Sequence, residues 1–309
     1  MKDVALEQVP EVAPATQAPR RKTTDWWAEA KGIFWLIVIV LGFHSFIAKP
    51  FYIPSESMLP GLRIGDRLVV TKFAYGWSFV SPTIPNPAAI FRSVVLREPT
   101  ESWIVGLPAW HGRLLGRLPE RGDVVIVTPP GTHNDYIKRV IGLPGDRLAV
   151  RGGIVWLNGK AIPRGPVHDA MIPIDTNSPC NEIDYPGART TVNGRAMCRL
   201  PLVTETLPNG RRYDTVDLGP SIGDDYREIA VPAGRVFLMG DNRDKSADSR
   251  FSLAEQGLGG PVPYENLGGR AEFVTFSLDG DATWWNPLSW PGSFRGGRAG
   301  ASLHPERVN

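Results

Sequence analysis

From Gly32 to Ala48 the chain is apolar almost without a break, with Ile33-Phe34-Trp35-Leu36-Ile37-Val38-Ile39-Val40-Leu41 at its centre. With Trp26 and Trp27 as interfacial anchors, the stretch reaches the ~20 residues that a helix needs to cross a bilayer. His44 and Ser45 weaken its far end, so a helix buried in a protein core stays open as the other reading. A cleaved signal peptide fits badly, because the run starts late, carries bulky aromatics and has no small-residue cleavage site behind it. Arg20-Arg21-Lys22 precede the run and only Lys49 follows it closely. Cationic side chains stay on the cytoplasmic side, so the N-terminus is expected in the cytoplasm and everything after about residue 50 across the membrane. The anchor is accordingly placed at residues 25–49.

Residues 1–24 are rich in Ala, Pro, Glu, Gln and Thr without apolar periodicity and read as a disordered cytoplasmic tail. Beyond the anchor no second long apolar stretch occurs, so residues 50–280 are expected to form one exported domain. Its many glycines and prolines point to a mainly β protein with frequent turns. Strand signals are clear at Leu68–Phe73, Asp123–Val127, Tyr136–Ile141 and Arg235–Met239. Leu148–Arg151 and Ile154–Leu157 flank Gly152-Gly153, a two-residue hairpin signal, and Asn158-Gly159 supplies the next turn. Residues 77–118 carry Trp77, Phe79, Trp103-Ile104-Val105 and Trp110 among prolines, either as an irregular insertion or as an apolar surface for the bilayer interface. Residues 160–230 read as a smaller inserted β lobe, and residues 281–309 as a C-terminal tail with no assigned structure. A net charge of +2 without a dense basic cluster argues against a nucleic-acid partner. Two cysteines exclude a disulfide-dense scaffold and leave too few for a cysteine zinc site.

Just past the anchor comes Pro54-Ser55-Glu56-Ser57-Met58-Leu59-Pro60. Proline restrains φ and biases its predecessor toward extended geometry, so the stretch should be rigid and strand-like before it turns. In an extended chain Ser55 and Ser57 point the same way, which suits a nucleophile with a helper hydroxyl and suits a plain polar turn equally well. A serine nucleophile needs a base. None of the five histidines sits in a nucleophile-elbow pattern or a metal-ligand spacing. Lys138 is another candidate: alternation puts it on the face of Tyr136 and Val140, opposite Ile137 and Arg139. If that face is exposed it is an ordinary surface lysine; if it is buried, loss of water favours a neutral amine able to take a proton from a hydroxyl. Asp248 and Arg250 lie on one face if their segment is extended, placed to pair.

These pieces occur in one order: an anchor, the Pro54–Pro60 block, Lys72-Phe73-Ala74-Tyr75-Gly76, Arg121-Gly122-Asp123, Tyr136-Ile137-Lys138-Arg139-Val140-Ile141-Gly142-Leu143-Pro144-Gly145-Asp146, and Gly240-Asp241-Asn242-Arg243-Asp244-Lys245-Ser246-Ala247-Asp248-Ser249-Arg250. In that order they resemble bacterial type I signal peptidase (leader peptidase). The resemblance implies a serine endopeptidase with an antiparallel β-sheet core, held in the bacterial inner membrane with its catalytic domain on the extracytoplasmic face. It makes Ser57 the nucleophile and Lys138 the general base, with the Ser55 hydroxyl and the Ser57 N–H as the oxyanion hole. Ser246 would orient the lysine, supported by Asp248 and Arg250. Phe51, Ile53, Met58, Leu62 and Ile137 would line two shallow pockets for small residues before the cut. The substrate would add as a strand beside Asp135-Tyr136-Ile137 and the Ser57 segment. No cofactor or metal is implied; the implied partners are signal-peptide-bearing preproteins, the phospholipid bilayer and the secretion translocon. On that side of the membrane a Cys180–Cys198 bridge is in keeping with the oxidising compartment.

Several positions depart from the family pattern. Glu56 stands where a smaller residue is common, Gly61 replaces a frequent threonine, and Lys245 replaces a common asparagine next to Ser246. Alternation points Glu56 away from the nucleophile, so substitution there is expected to be tolerated, whereas Lys245 is expected to bear on the field at Lys138. The family often has two anchors, and this chain shows one. A soluble Ser–Lys self-cleaving protease of the repressor kind is disfavoured, since no helix-turn-helix pattern is present. An inactive membrane-tethered peptide binder is the alternative from another class, and it has no need of Ser57, Lys138 and Ser246 together.

Overall fold

The computed structural model describes residues 25–94, 105–132, 134–283 and 285–308. The tail expected at residues 1–24, His133, and the Trp103-Ile104 part of the insertion lie outside the described residues. The first element is a 21-residue helix, Trp26–Phe46, long and apolar enough to cross a membrane. At 1.5 Å per residue it spans about 30 Å, the thickness of the hydrocarbon layer. Asp25 caps it, its carboxylate accepting from the N–H groups of Trp27 and Ala28. The chain divides into two units within this helix, after Ile39. The helix ends at Phe46, and Ala48 already opens a strand, so the last residues expected in the anchor belong to the sheet.

The fold is mainly β. Its principal sheet has seven strands in the order Ala48–Tyr52, Asp66–Thr71, Leu267–Ser277, Val124–Val127, Tyr136–Gly142, Arg235–Met239, Val262–Pro263, every neighbouring pair antiparallel. Alternation sorts its side chains onto two cores. Val124, Ile126 and Ile137 pack with Ile53, Met58, Leu62, Leu68 and Val70, while Val125, Val127 and Val140 pack with Tyr75, Leu238 and Leu267 on the other face. The 11-residue strand Leu267–Ser277 lies between Asp66–Thr71 and Val124–Val127, and the sequence reading has no counterpart for it. Register shifts after Leu267, Ala271 and Val274 break the alternation that would announce it.

Two smaller sheets complete the domain. One contains the expected hairpin, with Arg151 opposite Ile154 and both Gly152 and Gly153 at positive φ, as a two-residue turn of this type requires. The other occupies the expected inserted lobe: His168–Pro173, Arg189–Val192, Arg195–Thr206 and Arg211–Val216. Within it Cys180 and Cys198 are joined in a disulfide, their Cα atoms 5.7 Å apart. The described residues of the 77–118 range include a short helix, Pro87–Val94, and an isolated bridge between Trp77 and Leu114; Phe91, Trp110, Leu114 and Leu115 are exposed.

The C-terminal residues correct the sequence reading, which left them without structure. Arg295 forks onto Asp175 and also donates to the Ile64 carbonyl, 2.6 Å away. Arg298 pairs with the fully buried Asp66 and donates to the Gly61 carbonyl. Leu303 enters the core beside Met58 and Leu62, and Glu306–Arg307 adds a strand to the inserted lobe. The segment is therefore a strap across the domain rather than a tail.

Candidate active site

The Pro54–Pro60 block lies in the loop that joins the antiparallel strands Ala48–Tyr52 and Asp66–Thr71. Ser55 and Glu56 form a bend and Ser57–Gly61 a turn, so the extended run that the prolines predict stops short of Ser57. The turn is closed by Leu59 N–H to Glu56 O and Leu62 N–H to Met58 O, and anchored by Met58, Leu59 and Leu62, all buried. The apolar side chains thus hold the backbone from below while Ser55 stays exposed and Ser57 is nearly covered. The two hydroxyl oxygens are 3.4 Å apart, brought side by side by the bend and turn rather than by strand alternation.

Lys138 lies in the Tyr136–Gly142 strand, opposite Val125 on one flank, while on the other flank pairing with Arg235–Met239 begins only at Arg139. Its amine is 2.9 Å from Ser57 Oγ, and the residue is 2% exposed. Burial decides between the two readings that the strand pattern left open. Exclusion from water lowers the Lys138 pKa to about 8; Arg250 acts in the same direction, and Asp248 and Asp241 oppose it. With a pKa of about 8, a minority of the amine is neutral near neutral pH, and a neutral amine in contact with a hydroxyl can take its proton.

The Gly240–Arg250 block wraps the other side of this pair. Asn242 N–H donates to the Ser57 carbonyl, and its side-chain amide donates to the Glu56 carbonyl, 3.1 Å in each case. Gly240 N–H donates to Asp248, whose two carboxylate oxygens also accept from Arg250 Nε and Nη2 at 2.9 Å. Burial alone would raise the Asp248 pKa, but the Arg250 charge and these hydrogen bonds bring it below the usual carboxylate range. Arg250 thereby keeps Asp248 from acting as a full counter-ion to Lys138, which would hold the amine charged. Ser246 is buried against Gly240, and its Oγ has no hydrogen-bond partner among the described residues. A serine hydroxyl, a buried lysine in contact with it and a braced loop around both are an arrangement able to hydrolyse by hydroxyl–amine chemistry.

The profile of the family described as signal peptidase, peptidase S26, matches residues 26–276. The chain belongs to the signal peptidase family. Among its relatives, signal peptidase I of Rickettsia akari is 32% identical over 281 residues, covering 88% of this chain and 86% of its own. Signal peptidase I of Rickettsia typhi is 33% identical over 259 residues, covering 81% and 80%. The family is one of serine endopeptidases that act on signal-peptide-bearing preproteins.

In this signal peptidase the side chains assigned to substrate pockets come together. Ile53, Met58, Leu62 and Ile137 share one buried cluster, with Phe51 half-buried against it. Asp135 is exposed and accepts from the Thr128 hydroxyl at 2.7 Å, and Tyr136 lies on the Lys138 face, its ring 5.7 Å from the amine. Pairing with the Arg235–Met239 strand reaches only as far as Arg139, opposite Met239. Among the described residues, the Asp135–Lys138 stretch has no strand partner on that flank.

The structure also shows supporting groups that the sequence reading passed over. Arg139 forks onto Asp241 at 2.7 and 2.6 Å, and Arg243 forks onto the fully buried Glu205 at 2.6 Å on both prongs. Both arginines and Asp241 lie inside the quoted family blocks, which was the available signal; Glu205, on the Arg195–Thr206 strand, lies outside them and was not legible. The field expected from Lys245 is not seen: it turns to Asp184, 2.7 Å away, and the charges bearing on Lys138 are Asp248, Asp241 and Arg250. If neutral Lys138 is the base, kcat/KM should rise about tenfold per unit of pH below pH 8 and level off above it. A pH–rate profile flat from about pH 6 to 9 would contradict that role.

Proposed function

We propose that this chain removes signal peptides on the extracytoplasmic face of the bacterial inner membrane, with Ser57 as nucleophile and Lys138 as general base. The observation that carries the reading is the 2.9 Å contact between Lys138 Nζ and Ser57 Oγ inside a water-poor site. Ser57 Oγ attacks the carbonyl of the residue before the cut while Lys138 accepts its proton. The tetrahedral oxyanion is met by the Ser57 N–H and the Ser55 hydroxyl, one such donor lowering the barrier by ~3 kcal/mol. The lysine then returns the proton to the departing amine, and the same base activates the water that frees the ester.

The unpaired flank of Asp135–Lys138 gives an extended substrate a strand to join, so that main-chain bonds supply affinity. Phe51, Ile53, Met58, Leu62 and Ile137 form the apolar wall that admits small residues at the first and third positions. Ser246 is assigned the role of orienting Lys138, its Oγ having no hydrogen-bond partner among the described residues, and the Asp248–Arg250 pair sets the surroundings of the amine. The Trp26–Phe46 helix is the anchor, its N-terminus cytoplasmic by the placement of Arg20-Arg21-Lys22. The secretion translocon is the natural source of substrate at that face.

The test is incubation of the detergent-solubilised protein with a preprotein, followed by sequencing of the new N-terminus. The expected cut follows a small-x-small sequence at the end of the signal; a cut elsewhere would remove the substrate reading. Protease added to intact spheroplasts should digest the large domain, and full protection would refute the orientation.

A further inference from the structure

Two positions beside the dyad depart from the family pattern, Glu56 between the serines and Lys245 just before Ser246. Both find their partners on one turn of the inserted lobe. Tyr185 OH donates to Glu56 Oε2 at 2.6 Å, and Lys245 Nζ pairs with Asp184 Oδ1 at 2.7 Å. Tyr185 is also reached by the Asn242 amide at 3.2 Å, the same amide that donates to the Glu56 carbonyl. Asn242 in turn holds the Ser57 carbonyl. Neighbouring residues of one turn thus reach the nucleophile loop and the Ser246 segment together.

The turn is itself rigid. Tyr185 is 3% exposed, and its ring packs with Leu59, Cys180 and Cys198. Its N–H donates to the Asn181 carbonyl, and its carbonyl accepts from Ala188 N–H. The Cys180–Cys198 disulfide ties the start of the turn to the long Arg195–Thr206 strand. That strand pairs with Arg211–Val216, whose last residue bridges to Asn242, so the connection returns to Ser57 by a second route. Burial pushes the Tyr185 hydroxyl far above the ordinary tyrosine range, and Glu56 adds to the effect, so the group remains a donor.

We infer that the Asp184-Tyr185 turn is a clamp that holds the nucleophile loop in register with Lys138, with Tyr185 as its positioning residue. The inference rests on the reading of Ser57 and Lys138 as the dyad. Glu56 precedes the nucleophile directly, and a hydrogen bond to a carboxylate is about twice as strong as a neutral one. Anchoring Glu56 on a packed tyrosine limits the swing of the Ser55–Ser57 bend, and the oxygen to be deprotonated keeps its place. The expectation from alternation alone, that substitution at Glu56 is tolerated, is replaced by this one.

Tyr185→Phe keeps the ring in its apolar setting and removes only the hydroxyl. It should lower kcat about tenfold with KM within about twofold and the melting temperature within a few degrees. Glu56→Ala should do the same, Glu56→Gln should lose less because an acceptor oxygen remains, and the Tyr185→Phe/Glu56→Ala double variant should be no slower than Glu56→Ala alone. Unchanged kcat in Tyr185→Phe, a loss confined to KM, or losses that multiply in the double variant would each overturn the clamp. Ser57→Ala, assayed in parallel, separates the two readings. If it keeps activity, the dyad itself fails; if it is inactive while Tyr185→Phe is unimpaired, only the clamp fails.

Discussion

Lys138→Met is expected to lower kcat/KM for preprotein cleavage by about 10⁴-fold or more, corresponding to roughly 5.5 kcal/mol of transition-state stabilisation. The amine is the basic group in contact with Ser57 Oγ, and without it the hydroxyl keeps its proton at working pH. The same substitution should leave the fold intact or strengthen it. Methionine has nearly the length of lysine and fits a site that is 2% exposed, while the cost of keeping a polar amine from water disappears. A loss of activity with an unchanged or raised melting temperature therefore separates chemistry from packing. Substantial turnover by purified Lys138→Met would sink the assignment of the base, and the same outcome for Ser57→Ala would sink that of the nucleophile.

What the sequence made legible was what local pattern governs. The Gly152-Gly153 hairpin follows from a turn that needs positive φ at both residues, and the pairing of Arg151 with Ile154 follows from the turn. The face of Lys138 follows from alternation, but its burial does not. Burial comes from partners distant in sequence, the Val124–Val127 strand on one flank and the Ser57 loop, 81 positions away, at the amine. The Leu267–Ser277 strand escaped because its register shifts erase the two-residue period. The C-terminal strap escaped for another reason: Arg295 meets Asp175 from 120 positions away, and Arg298 meets Asp66 from 232. Single long-range ion pairs leave no periodicity to read. The inserted lobe was legible as a lobe, yet the contact between its Tyr185 and Glu56 depends on a fold that only the whole chain builds.

Gly240→Ala is expected to lower kcat by about 10²-fold, for reasons of space alone. Gly240 is not among the residues with positive φ, so alanine suits its backbone. A Cβ built there, however, would lie 2.2 Å from Ser246 Oγ, 2.5 Å from Ser246 Cβ and 2.5 Å from the Ser57 carbonyl oxygen. Ser246 Oγ can rotate aside, but Ser246 Cβ and the Ser57 carbonyl oxygen cannot, so the Ser246 or Ser57 backbone has to move by on the order of 1 Å, a displacement that typically costs about 10²-fold in rate. The crowding should also destabilise the fold by about 1–3 kcal/mol, less than catalysis loses. Gly61→Ala is the matched control, because a Cβ there meets Met58 O at 3.6 Å and Asp241 Oδ2 at 3.7 Å, ordinary contacts. Gly61→Ala should stay within about twofold of the parent, and steady-state rates with melting temperatures for the two variants decide the matter. Equal losses at both positions would mean that general crowding near the loop, rather than the Gly240–Ser246–Ser57 contact, sets the rate.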